Sequence, residues 1–360
     1  MKPTETPAYR PTADSIWNSF RISGKRHLIL TGGRGAGKST RIQRLCAGLP
    51  GIITSAVPEN GVYMELHPDG GRIRIGVYDP LLPGAENKMR PCPGSFEEQA
   101  VPMLRQLMED AGEWAFLDEI GYLESGSEPY RSALRELFEK KRVIAAVRKQ
   151  DTPLLLEMRG RPDAFCVDLD EPFGSAGCVI MASGEGKRFG GNKLTADFHG
   201  EPMIQRILDA TEGIFKRRVA VTRHAEIAEL CQRSGADVIL HSLPYRSDTV
   251  RLGLEAIGDC ENCMFCPADQ PLLRRETIAS IALCAAHEDN IWRPCFGETP
   301  GSPVLFPKWA FEELRNLPQG KGGGEIIRRY PERVRTIPVR DETELMDVDD
   351  RETLERLLRI

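Results

Sequence analysis

Two loops constrain this chain more than any other feature. Residues 27–40 read HLILTGGRGAGKST and residues 178–194 read CVIMASGEGKRFGGNKL. In each, a short apolar run meets a cluster of glycines and then basic residues. An apolar run ended by glycines reads as a buried strand. A strand that hands a glycine-rich loop to a helix start is the layout of an anion site, because backbone N–H groups and the helix dipole face the ligand together. The loops use different spacings, so the chain is expected to hold two different α/β folds. Its 360 residues suffice for two domains that each bury a core.

The pattern between and after the loops agrees. STRIQRLCAGL spaces Ile42, Leu45 and Leu49 as a helix face. SFEEQAVPMLRQLMEDA offers Ser95 and Glu98 as a capping box opening a second helix. WAFLDEIG, YRSALRELFEKK and RVIAAVR then alternate strand, helix and strand, which predicts a parallel sheet covered by helices. The turn-rich LDEPFGSAG (169–177) interrupts this rhythm, and CVIMAS starts a new unit. The expected organisation is an extension over 1–25 that packs on the domain next to it, a P-loop domain over 26–172, a linker over 173–177 and a second domain over 178–360. In that domain RRVAVTR, ADVILHS, NCMFCPADQP, GSPVLF and RVRTIPV are strand candidates. The fold class is α/β: a P-loop parallel sheet followed by a Rossmann-like, mostly parallel sheet, with no internal repeat.

Composition narrows the function. A net charge of −5 argues against nucleic-acid binding, and FKRRV reads as a solvated helix face. No apolar run approaches the roughly 20 residues needed to cross a bilayer, and the start MKPTETPAYRPT has no signal-type apolar core. Ten scattered cysteines suit a reducing cytoplasm, the expected location. CENCMFC sets Cys260, Cys263 and Cys266 at cluster-like spacing, but on an apolar strand, so they are read as buried thiols. The histidines form no ligand pair, and no G-x-S-x-G nucleophile occurs.

In the first loop Gly32, Gly37, Lys38 and Ser39 satisfy G-x-x-x-x-G-K-[ST]. Gly32, Gly35, Gly37, Lys38, Ser39 and Thr40 are the expected nucleotide-binding residues, with Lys38 on the β- and γ-phosphates and Ser39 on Mg²⁺. In AFLDEIGYLES, Asp118 ends an apolar strand as a second Mg²⁺ residue, and Glu119 stands ready to orient or deprotonate a water. Arg148, just past VIAAV, is a candidate for transition-state charge or a plain surface arginine. GGRGAGKST and DEIGYLES together resemble the nucleoside-triphosphatases related to a thermophile NTPase, over about residues 27–170. The resemblance implies hydrolysis of ATP or GTP. A kinase stays open, since a P-loop fixes the donor and not the acceptor.

The second loop lacks Gly-Lys-Ser/Thr, and Gly184 and Gly186 are followed by Phe189 rather than a third glycine. A strand end, flexible glycines, Arg188 and then Lys193 suit a triphosphate attacked at its α-phosphorus. Arg188 would neutralise the departing β- and γ-phosphates and Lys193 the α-phosphate. VIMASGEGKRFGGNK, CPADQPLL, DTVRLGLEA, GSPVLFP and LMDVDDRETLERL together resemble the molybdenum cofactor nucleotidyltransferases, over about 178–360. The resemblance implies nucleotide contacts at Ala182, Ser183, Gly184, Gly186 and Thr249. It also implies Mg²⁺ on Asp269 and on Asp347, chosen over Asp349. The Asp-Gln-Pro form of the acid motif and the lack of an opening Gly-Gly pair favour CTP over GTP.

The function expected is transfer of a cytidylyl group to molybdopterin with loss of pyrophosphate, in maturation of a molybdenum hydroxylase apoenzyme. The fused NTPase would drive delivery or insertion. The alternatives are guanylyl transfer, another phosphate acceptor such as a sugar phosphate, and a nucleotide-gated carrier of the cofactor without chemistry.

Overall fold

A computed structural model describes residues 9–82 and 88–360. The chain forms two compact units, Phe20–Glu171 and Pro172–Ile360, and the segment ending at Ser19 belongs to the second. The extension therefore divides inside its helix α1 (Ala13–Ile22) rather than staying with the domain next to it in sequence. Ile16 is fully buried, as are Ser15 and Ser19. Ser19 Oγ donates to the Ser280 carbonyl at 3.1 Å, Tyr9 N donates to Gly213 O at 2.9 Å, and the Tyr9 ring stacks on Phe173 at 6.3 Å. An amphipathic helix records that one face is covered, not by which part of the chain.

In the first unit the elements run β1 (His27–Thr31), α2 (Lys38–Leu45), β2 (Gly51–Val57), β3 (Gly61–His67), β4 (Arg72–Tyr78), β5 (Met89–Pro91), α3 (Val101–Glu109), β6 (Trp114–Ile120), α4 (Glu128–Lys140), β7 (Arg142–Val147), α5 (Pro153–Arg159) and β8 (Ala164–Asp168). One sheet takes the order β5-β4-β3-β2-β6-β7-β1-β8. Its β2-β6-β7-β1-β8 part is parallel, and β2 to β5 form an antiparallel meander. The wholly parallel expectation missed that meander. Its signals were PENG and PDGG, turn sequences between the short runs GIITSAV, GVYMELH and RIRIGVY. The capping box also fails to form. Ser95 has helical φ/ψ, and its Oγ donates to the Cys92 carbonyl at 2.8 Å, so the helix enters through a wider turn over Phe96–Ala100 before α3.

The second unit comprises β9 (Ala176–Ala182), β10 (Asp197–Phe198), β11 (Glu201–Pro202), α6 (Ile204–Thr211), β12 (Arg217–Thr222), α7 (Ala225–Arg233), β13 (Asp237–Leu240), α8 (Arg246–Ile257), β14 (Asn262–Pro267), α9 (Arg275–Ala285), β15 (Ile291–Phe296), β16 (Thr299–Pro300), β17 (Val304–Pro307), α10 (Phe311–Arg315), α11 (Gly324–Arg329), β18 (Val334–Pro338) and α12 (Arg351–Leu357). β9 starts at Ala176, inside the expected linker. The sheet order is β13-β12-β9-β14-β17-β15-β16, with β18 on β15. β13-β12-β9-β14 are parallel, and β17 turns antiparallel against β14. Because β9 and β14 are parallel neighbours, their C-terminal ends open on the same side, with Met181 opposite Pro267. The second loop and Asp269 are thus delivered to one place, as parallel sheets deliver ligand sites. Among the described residues no helix is long and apolar enough to cross a membrane.

Candidate active sites

In the first unit β1 ends at Thr31, and Gly32, Gly35 and Gly37 come next with φ of 140°, 79° and 88°. Three positive φ values within six residues curl the loop over the start of α2, which few side chains would permit. Lys38 is buried, and its ammonium donates to the carbonyls of Gly32 at 2.9 Å and Gly33 at 3.1 Å. Ser39 and Thr40 are exposed at the helix start. Ser39 Oγ donates to Asp118 Oδ1 at 2.9 Å, joining the two predicted Mg²⁺ residues from the start of α2 and from β6. Burial pushes the Asp118 carboxyl above the usual range; the Ser39 hydrogen bond opposes this and Glu119's charge adds to it. A hard oxygen pair, one of them a buried carboxylate that gains from a cation, fits Mg²⁺.

Glu119 lies between two cations. Lys38 Nζ is 3.8 Å from its Oε2, and Arg148 Nε donates to its Oε1. The pairing of β6 with β7 shifts register between Asp118 and Ile120, leaving Glu119 out of the ladder. Arg148 sits at the end of β7, with its backbone N on Ile120 O at 3.0 Å. These contacts bring Lys38, Glu119 and Arg148 together, and Ser39 with Asp118. One partner was not foreseen: Asp170, beyond β8, accepts from Gly33 N at 2.8 Å and pairs with Lys149 at 3.3 Å.

In the second unit, a cavity of about 280 Å³ is lined by Gly184–Arg188, Lys193, Asp269 and Asp349, with Met181, Leu194 and Ala268 completing its wall. Gly186 makes the loop possible. Its φ is 60°, and a Cβ there would lie 2.1 Å from the Gly191 carbonyl oxygen. The amides of Phe189 and Gly190 both donate to Gly186 O, at 3.0 and 3.1 Å, so the loop folds on itself and presents Arg188 and Lys193 on one side. Lys193 Nζ is 2.5 Å from Asp269 and 3.4 Å from Asp349, and Arg188 is 2.9 Å from Asp349.

Four of the expected residues do not line this cavity. Asp349, not Asp347, is the C-terminal acid that lines the cavity and meets both basic residues. Asp347 remains close enough for protein crowding, then the charges of Asp269 and Asp349, to hold its carboxyl above the usual range. Thr249 is 2% exposed within α8, so its hydroxyl does not face the cavity. Ala182 is also buried, and the Ser183 hydroxyl turns away, donating to Val221 O at 3.0 Å and meeting His241 Nε2 at 2.9 Å. Of the four predicted loop contacts, only Gly184 and Gly186 line the cavity. Glu185 and Lys187 line it as well and were not anticipated.

Gln270 holds the acid motif in place. It is 3% exposed, donates to the Leu345 carbonyl at 3.1 Å, and is absent from the cavity lining. With Val348 N on Asp269 O at 2.9 Å, it ties the C-terminal acid segment to the end of β14. Asp269 and Asp349, both on the Lys193 ammonium, are a pair of hard oxygen donors whose like-charge repulsion a divalent cation would relieve, so this pair fits Mg²⁺. Cys260, Cys263 and Cys266 are buried at and within β14, and Cys266 Sγ stands 3.7 Å from Cys178 Sγ.

The NTPase family matches residues 83–172, and the family described as MobA-like NTP transferase domain matches residues 178–334. The cancer-related nucleoside-triphosphatase homolog of Mus musculus is 32% identical over 142 residues, which cover 33% of this chain and 72% of the mouse protein. A probable molybdenum cofactor guanylyltransferase of Aquifex aeolicus is 27% identical over 103 residues, 28% of this chain and 49% of its own length. The 3-deoxy-manno-octulosonate cytidylyltransferase of Neisseria meningitidis serogroup B is 33% identical over 81 residues, 22% of this chain and 32% of its own. The chain thus spans about half of the guanylyltransferase and a third of the cytidylyltransferase.

Proposed function

Because the chain belongs to the nucleoside-triphosphatase family in its N-terminal unit and carries a MobA-like NTP transferase domain after it, we propose that the second unit transfers CMP from CTP to the terminal phosphate of molybdopterin. The observation that carries this reading is the Lys193 ammonium between Asp269 and Asp349, with Arg188 beside it, in a cavity at the end of β9 and β14. Two acids and two basic groups at one opening suit in-line attack on an α-phosphate. A phosphate oxygen of the acceptor bonds to the α-phosphorus, the bond to the β-phosphate oxygen breaks, and pyrophosphate leaves with the electron pair.

The obstacle is charge. Two unit charges 4 Å apart interact by about 4 kcal/mol at an effective dielectric near 20, and an anionic acceptor meets a polyanionic nucleotide. Lys193 exchanges its carboxylate partners for the α-phosphate, and Arg188 leaves Asp349 for the departing pyrophosphate. Mg²⁺ held by Asp269 and Asp349 would supply the remaining charge neutralisation at the phosphates. No general base is needed, since the nucleophile is already ionised; the residues position and neutralise.

The acceptor is inferred from the family resemblance and from the molybdenum cofactor guanylyltransferase to which the chain is similar. The same similarity supports GTP as the second reading, while the missing Gly-Gly pair and the cytidylyltransferase relative favour CTP. In the first unit Lys38, Ser39, Asp118 and Glu119 bind and hydrolyse ATP or GTP with Mg²⁺, and we assign that energy to delivery of the finished cofactor to a molybdenum hydroxylase apoenzyme in the cytoplasm. The deciding experiment measures pyrophosphate from CTP, GTP and ATP with molybdopterin, for the wild type and Asp269→Asn. Acceptor-dependent pyrophosphate from CTP, lost in the variant, is expected. Release only from GTP selects the second reading, and no release with intact cofactor binding identifies a carrier.

A further inference from the structure

Glu124 has no part in the chemistry above, yet its setting is unusual for a carboxylate. It lies in the short turn Leu123–Gly126 after β6 and is 2% exposed. Its Oε2 accepts from Gly121 N at 3.1 Å, whereas Oε1 is buried with no hydrogen-bond partner among the described residues. A buried polar atom left unpaired costs roughly 1–3 kcal/mol, more for a charged group, and so needs an explanation.

The neighbourhood ties this carboxyl to the hydrolytic site. A Cβ on Gly121 would lie 3.3 Å from Glu124 Oε2 and 3.6 Å from Arg148 Cδ, so the missing side chain is what lets the carboxylate and the arginine share that space. Arg148 already donates to Glu119. Arg148 therefore bonds one acid, Glu119, while a second, Glu124, flanks the same glycine without an ion pair to it. Burial pushes the Glu124 carboxyl up to about 7; its backbone hydrogen bonds and Arg148's charge oppose this, and Glu119's charge adds to it. The other titratable groups that respond to Glu124 are Tyr122 and, on α4, Tyr130, whose hydroxyls are both raised chiefly by burial.

We propose that Glu124 is a positioning residue for NTP hydrolysis, setting how firmly Arg148 grips Glu119. With Glu124 ionised, the guanidinium is shared between two carboxylates and Glu119 can turn to the attacking water. With Glu124 protonated, Arg148 belongs to Glu119 alone and holds it back. The Glu124 carboxyl is neutral below about pH 7 and ionised above it, so hydrolysis rises as pH climbs through that value.

This inference rests on Glu119 acting on the water, and Glu119→Gln tests that premise separately: if it still hydrolyses NTP, the premise fails whatever Glu124 does. Given the premise, orthophosphate release is followed from pH 6 to 8.5 at saturating Mg-NTP for the wild type, Glu124→Gln and Arg148→Gln. The wild type is expected to gain roughly tenfold in kcat across pH 7. Glu124→Gln is expected to stay flat near the wild type's acid-limb value, with KM within about twofold. In Arg148→Gln the inflection disappears, and adding Glu124→Gln changes kcat no further. A Glu124→Gln enzyme with the wild-type pH profile, or one altered only in KM, overturns the proposal. Should that variant fail to fold, an inflection persisting in Arg148→Gln overturns it equally.

Discussion

Lys193 supplies the second site with its own cation, and its two partners are not equivalent. Asp269 comes from a strand end, while Asp349 comes from an irregular segment pinned by Gln270 and by Val348 N. If Asp349 is the working acid, Asp349→Asn lowers pyrophosphate release about a hundredfold, near 3 kcal/mol of transition-state stabilisation. Asp347→Asn, which removes a repelling charge from the rim, costs tenfold or less. Comparing kcat/KM of the two variants decides, and the reverse order would restore Asp347. The sequence DVDD displays both acids but not which one faces in, because nothing periodic governs an irregular segment. Glu124 carries a stability prediction at the same scale. Its folded pKa is raised, so the folded state holds the proton more tightly, and stability falls as pH rises from about 4.5 through about 7. A shift of that size is worth about 3 kcal/mol. Glu124→Gln should therefore gain on the wild type in urea midpoint between pH 5 and pH 8, and a gap that does not change with pH would rule out ionisation as the cause.

At the scale of elements, the two glycine loops were readable because each is short, local and bound to a strand end. The P-loop spacing placed Lys38 and Ser39, and an apolar run ending on acids placed Asp118, to which Ser39 is hydrogen-bonded. The second loop gave Arg188 and Lys193, which line the cavity, whereas Ala182, Ser183 and, on α8, Thr249 do not. A family pattern preserves position along the chain, whereas the direction of a hydroxyl depends on neighbours such as Val221 and His241 that arrive from other strands. The β2 to β5 meander escaped notice for a related reason: its strands pair with one another and leave the helix–strand rhythm on either side intact. The loop itself yields a sharper test. Gly186→Ala puts an L side chain into the left-handed region, costing about 1–2 kcal/mol, and drives Cβ into the Gly191 carbonyl. Nucleotide affinity at the second site should drop at least tenfold while orthophosphate release stays at the wild-type rate. Equal affinity would mean that the loop has another way to close.

Across the whole molecule, sequence order and spatial membership diverge at α1. The chain begins this helix in the unit of the transferase and leaves it, from Phe20 on, in the unit of the P-loop. A boundary drawn from composition, at residue 25 or at 172, cannot register this. Both flanks of α1 are polar and turn-rich, and the contacts that decide its membership lie more than 250 residues away in sequence, at Ser280 and Cys284. The serines explain the fit: Ser15 and Ser19 are small enough for α1 to approach α9 closely, and their groups bond directly to it. The transferase therefore depends on residues that an isolated C-terminal fragment would lack. Ile16→Ala, at a fully buried position, should cost the transferase unit about 2–5 kcal/mol. Pyrophosphate release would then be lost several degrees below the wild type on heating, with orthophosphate release still tracking the wild-type curve. Parallel loss of both activities would mean that α1 stabilises the P-loop unit as well, and that the two units do not melt independently.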